Sequence, residues 1–308
     1  MRKIILSLFF ISVLIMLIVF QKEIVEYIMV NYIYQKEIVV ENANKYKRNY
    51  NYYFVQQTDN FFPKSKQDLM NIFYSILNNG WNTFTFYCDI EYETCIKDIQ
   101  EITQDEYILS NINNFVHPYN SYNHLSINYN NLGKIVIKVE KLYSDFEVKM
   151  IDQKIEEIYN KIITEDMSIK KKILAIHDYI IHNTSYDSER AEMIQNNIND
   201  RPYKYQSHKA YGPLIQNMAI CSGYSDTMAL FLNKMELNNY KIASQEHIWN
   251  LVYLDGQWYH LDLTWDDPVI GNGKSMIIHN YFLITTEELE KEMDDQHEFS
   301  KEVYSEAK

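Results

Sequence analysis

The chain has 308 residues, 46% of them hydrophobic, with 7 glycines and 5 prolines, which excludes a disordered or linker-rich protein. Against 42 Asp and Glu stand 29 Lys and Arg, leaving a net charge of -13. That charge repels phosphate backbones and no basic patch offsets it, so nucleic acid is excluded as a partner.

Residues 1–30 read as a membrane anchor. Arg2 and Lys3 precede an uncharged apolar run from Ile4 to Phe20. At about 1.5 Å per residue this run nearly spans a bilayer core of about 30 Å. Val19, Phe20, Gln21 and Lys22 do not make the small-residue site of a cleaved signal. The expectation is therefore an uncleaved single-pass segment with the body outside the cytoplasm; a cleaved signal peptide is the alternative and gives a secreted body. QKEIV recurs at Gln21 and Gln35, two heptads apart, which predicts a helical stalk over 31–48.

Residues 49–149 read as a small α/β domain of unknown role. Ser65 caps a helix that Asn79-Gly80 ends, and a strand rich in Thr and aromatic residues follows. DEYILSNINNFV (105–116) is a second helix, and HLSINYNNLGKIVIKVEKLY (124–143) alternates as a hairpin around NNLGK. Cys88 and Cys95 lie close enough to close a short loop, and an oxidising compartment permits a disulfide. Cys221 is then unpaired, and an unpaired thiol in an exported protein is either buried or reactive.

Residues 150–308 open with two helices, marked by Ile155, Ile158 and Ile162 and by Ile173, Ile176 and Ile180, with a break near 164–166. His177 and His182 are five apart, off the i, i+4 spacing of helical metal ligands, and read as structural or surface residues. A polar loop covers 185–206. Beyond it Cys221, Tyr224, Met228, Phe231 and Met235 form one helical stripe, with Cys221 at the helix start. Unpaired N–H groups and the macrodipole there favour an anion, and Gly223 leaves room for something to approach.

EHIWNLVYLDGQWYHLDLTWDDP (246–268) is a hairpin about Asp255-Gly256. If Leu254 faces Gln257, then Trp249 lies opposite Asp262, and His247 and Asp262 become diagonal neighbours about 7 Å or less apart at Cβ. Their side chains can close that gap, letting the carboxylate orient the imidazole. A thiol, a histidine and an aspartate so placed make a Cys-His-Asp constellation for nucleophilic catalysis: Cys221, His247, Asp262. His260 shares the face but lies farther from the open end of the hairpin. Trp249 and Trp258 also share it, as cleft walls or as core. Asp266 and Asp267 before Pro268 read as a turn, with calcium binding as the weaker alternative. The sequence carries no zinc spacing, P-loop or dinucleotide fingerprint, so neither a metal nor a cofactor is expected.

AYGPLIQNMAICSGYSDTMALFLNKM, EHIWNLVYLDGQWYHLDLTWDDP and HNYFLIT, in that order, resemble the transglutaminase-like superfamily of papain-related thiol enzymes, over residues 155–306. HDYIIHNTSYD (177–187) matches a segment often found upstream in that family. Glu246 departs from it, standing where a small residue is frequent. The resemblance implies an α+β fold, a nucleophile helix packed on an antiparallel sheet, with Cys221 as nucleophile, His247 as base and Asp262 as orienter. It also implies acyl transfer at peptide or glutamine carboxamide groups of a protein or peptide substrate, by hydrolysis or by cross-linking. The rival reading is a non-catalytic envelope module that keeps the fold as a binding platform.

Overall fold

The computed structural model describes residues 2–34, 37–89, 91–130, 133–198, 202–268, 277–291 and 294–308. At the N-terminus α1 (Arg2–Val19) and α2 (Gln21–Ile28) follow one another, then a π-helical stretch, Met29–Tyr34. The expected membrane span finds no support here. Eighteen residues rise about 27 Å, short of a core of about 30 Å, and no helix among the described residues is long and apolar enough to cross a membrane. The helical stalk expected over 31–48 is also corrected, because residues 38–44 have no regular structure. Their backbone groups find partners on the body instead: Trp81 Nε1 donates to the Glu41 carbonyl at 3.1 Å, and the Asn44 N–H to the Asn79 carbonyl at 3.0 Å.

Capping residues set the next elements. Ser65 accepts the Asp68 N–H and starts α3 (Lys66–Asn79), which Gly80 ends. Strand β1 (Thr83–Tyr87) follows, then α4 (Cys95–Gln104) and α5 (Glu106–Asn114), the latter capped by Asp105. Cys88 and Cys95 are disulfide-bonded, tying the end of β1 to the first turn of α4. The hairpin β2 (Tyr122–Tyr129) and β3 (Lys134–Lys141) forms as expected, although residues 131–132 of its turn lie outside the described residues. These strands make an antiparallel sheet in the order β1-β3-β2.

Helix α6 (Asp145–Ile162) starts at a capping box, Ser144 with Glu147, and α7 (Ile169–Asn183) at Ser168. Strand β4 (Ser185–Tyr186) pairs in parallel with β5 (Met218–Ala219), and α8 (Ser188–Gln195) lies between them in sequence. Helix α9 (Cys221–Lys234) then leads into β6 (Asn239–Ala243), β7 (Ile248–Leu254), β8 (Gln257–Leu261) and β9 (Phe282–Ile284), with α10 (Thr286–Lys291) last. The four strands form an antiparallel sheet in sequence order. Its central hairpin has the expected register, Leu254 against Gln257 through Asn250 against Leu261. Asp255 and Gly256 both adopt positive φ, 52° and 93°, the geometry a two-residue turn demands of this pair.

Helices and antiparallel strands together make an α+β fold. Strand alternation gives the four-stranded sheet two buried faces. Tyr240, Ile242, Trp249 and Leu251 join one apolar cluster with α3, α5, β1 and β3. Val252, Leu254, Leu261 and Leu263 join another with α6, α7 and α9. The Arg48 guanidinium bridges the regions, donating to the carbonyls of Phe115 at 3.2 Å and Asn239 at 2.5 Å.

Candidate active site

The start of α9 is fixed from below. The Ile220 N–H donates to the Ser207 carbonyl at 2.9 Å, and a Cβ on Gly223 would stand 2.2 Å from that same oxygen. The space the sequence leaves at Gly223 is thus taken by the Ser207 backbone, not by a ligand. Ser207 is itself held by its hydroxyl, which donates to Asp187 Oδ2 at 2.6 Å. Along the helix Asp226 accepts from Lys241 Nζ and from the Tyr143 hydroxyl, each at 2.6 Å, while Asn250 Nδ2 donates to the Ser225 carbonyl at 2.9 Å. These buried bonds lock the helix to β6 and β7 and leave Cys221 partly exposed at its tip. Ile220, the N-cap residue, makes no side-chain capping bond, and the Gly223 N–H bonds the Ile220 carbonyl at 2.9 Å, which leaves the Cys221 and Ser222 N–H groups as the first-turn donors for a ligand.

His247 sits one residue ahead of β7, its N–H bonded to Ser244 Oγ at 3.0 Å. Its ring stacks on Trp249, centroids 5.6 Å apart and planes 14° from parallel. Nε2 lies 2.5 Å from Asp262 Oδ2, and Cys221 is a hydrogen-bond partner of the same ring. Cys221, His247 and Asp262 are therefore brought together. Asp262 is almost wholly buried; its Oδ1 accepts the N–H groups of Thr264 and Trp265 at 2.8 and 3.3 Å. Burial works against ionisation of this carboxyl, yet the charges and hydrogen bonds of His247 and His297 outweigh it and hold the group well below the usual carboxylate range. Burial likewise opposes a charged His247, but Asp262 and then Cys221 push the ring up to about 10. At neutral pH the His247 ring is therefore protonated.

One further member escaped the sequence reading. His297 Nε2 lies 3.0 Å from the same Asp262 Oδ2, and its Nδ1 lies 2.8 Å from both oxygens of Asp294. The ring is buried, stacked on Tyr281 with planes 17° apart. One carboxylate oxygen thus serves two imidazoles. The only local sequence signal was Asp294 three residues ahead of His297, a common turn pair with nothing to link it to Asp262.

Other expected roles sort by contact. Trp249 does not wall the cleft: it is buried beneath His247 and donates from Nε1 to His260 Nδ1 at 3.0 Å. Trp258 lies toward the hairpin turn, packed on Tyr240 and Tyr253, because its register partner is Tyr253, six residues along the strand from His247. His260 bonds Thr286 Oγ1 at 2.8 Å through its other nitrogen, and burial pushes it down to about 3, a neutral core ring. His182 is exposed, whereas His177 is fully buried. A cleft of about 450 Å³ opens over Cys221 and His247, lined by Tyr186, Ile194, Gln195, Glu246, Thr264 and Gln296.

No family model matches this chain, and no curated protein matches it. Among solved structures it is similar to a transglutaminase, at 20% identity over 47% of this chain and 45% of that one, with a TM-score of 0.34. It is also similar to a proposed cysteine protease from Cytophaga hutchinsonii, at 12% identity over 50% of this chain and 65% of that one, with a TM-score of 0.27. The chain spans less than two thirds of the length of either.

Proposed function

We propose that this protein is a cysteine-nucleophile enzyme that transfers or hydrolyses acyl groups at peptide or glutamine carboxamide carbonyls. The observation that carries the reading is the Cys221–His247–Asp262 chain at the tip of α9, facing an open cleft. With the proton on His247, the Cys221 sulfur attacks the substrate carbonyl carbon and forms the C–S bond. The developing oxyanion is met by N–H groups of the first turn of α9. His247 gives its proton to the departing amine as the C–N bond breaks, leaving a thioester. It then takes a proton from the incoming water or amine, whose oxygen or nitrogen bonds the carbonyl carbon as the C–S bond breaks, releasing an acid or a new amide and restoring the Cys221 sulfur beside protonated His247. Asp262, held by two backbone N–H groups, keeps the ring aligned through both steps. Glu246 on the cleft wall favours a cationic group beside the reacting carbonyl. The Cys88–Cys95 disulfide supports a site outside the cytoplasm, and the exposed apolar side chains of α1, such as Phe9, Phe10 and Leu14, support attachment to the membrane.

The test is the rate of Cys221 alkylation against pH in the full chain, followed by peptide mass spectrometry beside a His247→Ala control. Labelling that stays fast well below the free-thiol value of about 8.5, and slows in the control, is the expected result. Labelling that follows an ordinary thiol in both proteins would overturn the reading and favour a non-catalytic envelope module.

A further inference from the structure

On the far side of the 262–266 turn from the thiol lies a second imidazole–carboxylate cluster that the proposed chemistry does not use. His177 Nδ1, Asp178 Oδ1 and His279 Nε2 all lie within 4.8 Å of one another. Asp178 Oδ1 stands 2.9 Å from the His177 nitrogen and 2.8 Å from that of His279. We infer that these three side chains form a binding site for a divalent transition-metal cation of the zinc type.

Three features beyond the cluster itself support this. First, the other nitrogen of His177 is already held: Nε2 lies 3.1 Å from Asp266 Oδ2, and both side chains are fully buried. The second oxygen of Asp266 accepts the Tyr281 N–H at 3.0 Å, so the carboxylate is fixed and its partner ring with it. A carboxylate behind a ligating histidine is the arrangement that sets tautomer and ring orientation in metal sites, directing the opposite lone pair at the cation. Second, Phe282 packs edge-on against both rings, with centroids 5.3 Å from His177 and 6.1 Å from His279, which holds the pair converging. Third, burial is graded. The His177 side chain is 0% exposed while Asp178 and His279 are 39% and 44% exposed, so a cation can arrive from solvent and keep water in its remaining positions.

Two imidazole nitrogens and one carboxylate oxygen suit zinc, cobalt or nickel and not calcium or magnesium, which take oxygen shells. Binding displaces the protons that the two nitrogens otherwise share with Asp178, at ligand distances near 2.0–2.2 Å. The cation would clamp α7 to the segment that enters β9, contacts 101 residues apart in sequence.

His247, Asp262 and His297 also lie within 4.8 Å of one another beside Cys221 and could capture zinc adventitiously, so the test is made in a Cys221→Ala/His247→Ala background that breaks that trio. Full-length protein with both substitutions, stripped with chelator, is titrated calorimetrically with zinc chloride. One zinc per chain is expected. Adding His279→Ala or Asp178→Ala, both half-exposed and so tolerable to the fold, should each weaken binding beyond the roughly 10- to 100-fold typical of losing an outer-shell partner. Absence of binding in that folded double variant, or stoichiometric binding that survives either added substitution, would overturn the assignment.

Discussion

The two histidine clusters each combine two imidazoles with two carboxylates and differ in which group is buried at the centre. At the thiol, one carboxylate, Asp262, stands between two rings, His247 and His297. On the other side of the turn one ring, His177, stands between two carboxylates, Asp178 and Asp266. The turn joins them directly, the Asp266 N–H donating to the Asp262 carbonyl at 3.3 Å, and Tyr281 serves both: its N–H bonds Asp266 and its ring stacks on His297. Donors in excess around one buried carboxylate keep it ionised and keep its histidines aligned, which suits proton handling beside a nucleophile. Acceptors in excess around one ring create a place where a cation is wanted. A thiol within hydrogen-bond reach separates the first cluster from the second, and residue types alone do not reveal which is which.

The comparison breaks most visibly at Cys221. Cys221→Ala should reduce acyl-transfer rate by about 10⁴-fold or more while thermal unfolding stays nearly unchanged, read by turnover and calorimetry on the same preparation. His177→Ala should do the reverse. Removing a fully buried ring between carboxylates leaves buried Asp266 Oδ2 without its partner and should cost roughly 3–5 kcal/mol of stability, measured by denaturant titration. Equal loss of activity and stability in both variants would erase the distinction.

His297 tests whether the second imidazole on Asp262 matters to rate. As a positioning residue it acts through the carboxylate, so His297→Ala should lower kcat by about 10- to 100-fold with KM little changed. His297→Gln, which retains an N–H donor in reach of Asp262, should recover part of that loss; a stability role alone would move neither kcat nor its rescue.

Rings that hydrogen-bond no carboxylate, two of them buried and one half-buried, give the smallest effect. His117, His208 and His260 are all depressed by burial, His208 to about 4 and His260 to about 3. They stay neutral in the folded chain while the unfolded chain takes up protons below about 6.5. Their contribution is therefore present above that pH and lost as pH falls toward the folded values. The unfolding temperature should drop by roughly 5 °C between pH 6.5 and 4.5; a flat profile over that range would contradict the burial.

Much of the site was legible because its geometry follows from a local rule. Asp255-Gly256 fixes a two-residue turn, the turn fixes the register, and the register sets His247 diagonal to Asp262 before any tertiary contact is known. Trp258 shows where the rule ends: the alternation that put it on the face of His247 says nothing about distance along the strand. The capped helices and the hairpins were readable for the same reason, since Ser65, Ser144 and Asp255-Gly256 act on backbone groups within a few residues.

What the sequence determined by itself was the short-range set: caps, hairpin register, the thiol at a helix start and the imidazole–carboxylate pair across one turn. Only the tertiary structure decided that Ser207 fills the space at Gly223, that His297 joins Asp262 from 35 residues away, and that His177 meets His279 instead of His182. Those contacts depend on how the 262–266 turn, Tyr281 and β9 pack against α7 and α9. Such packing is set by the summed burial of two apolar clusters, not by the spacing of any few residues.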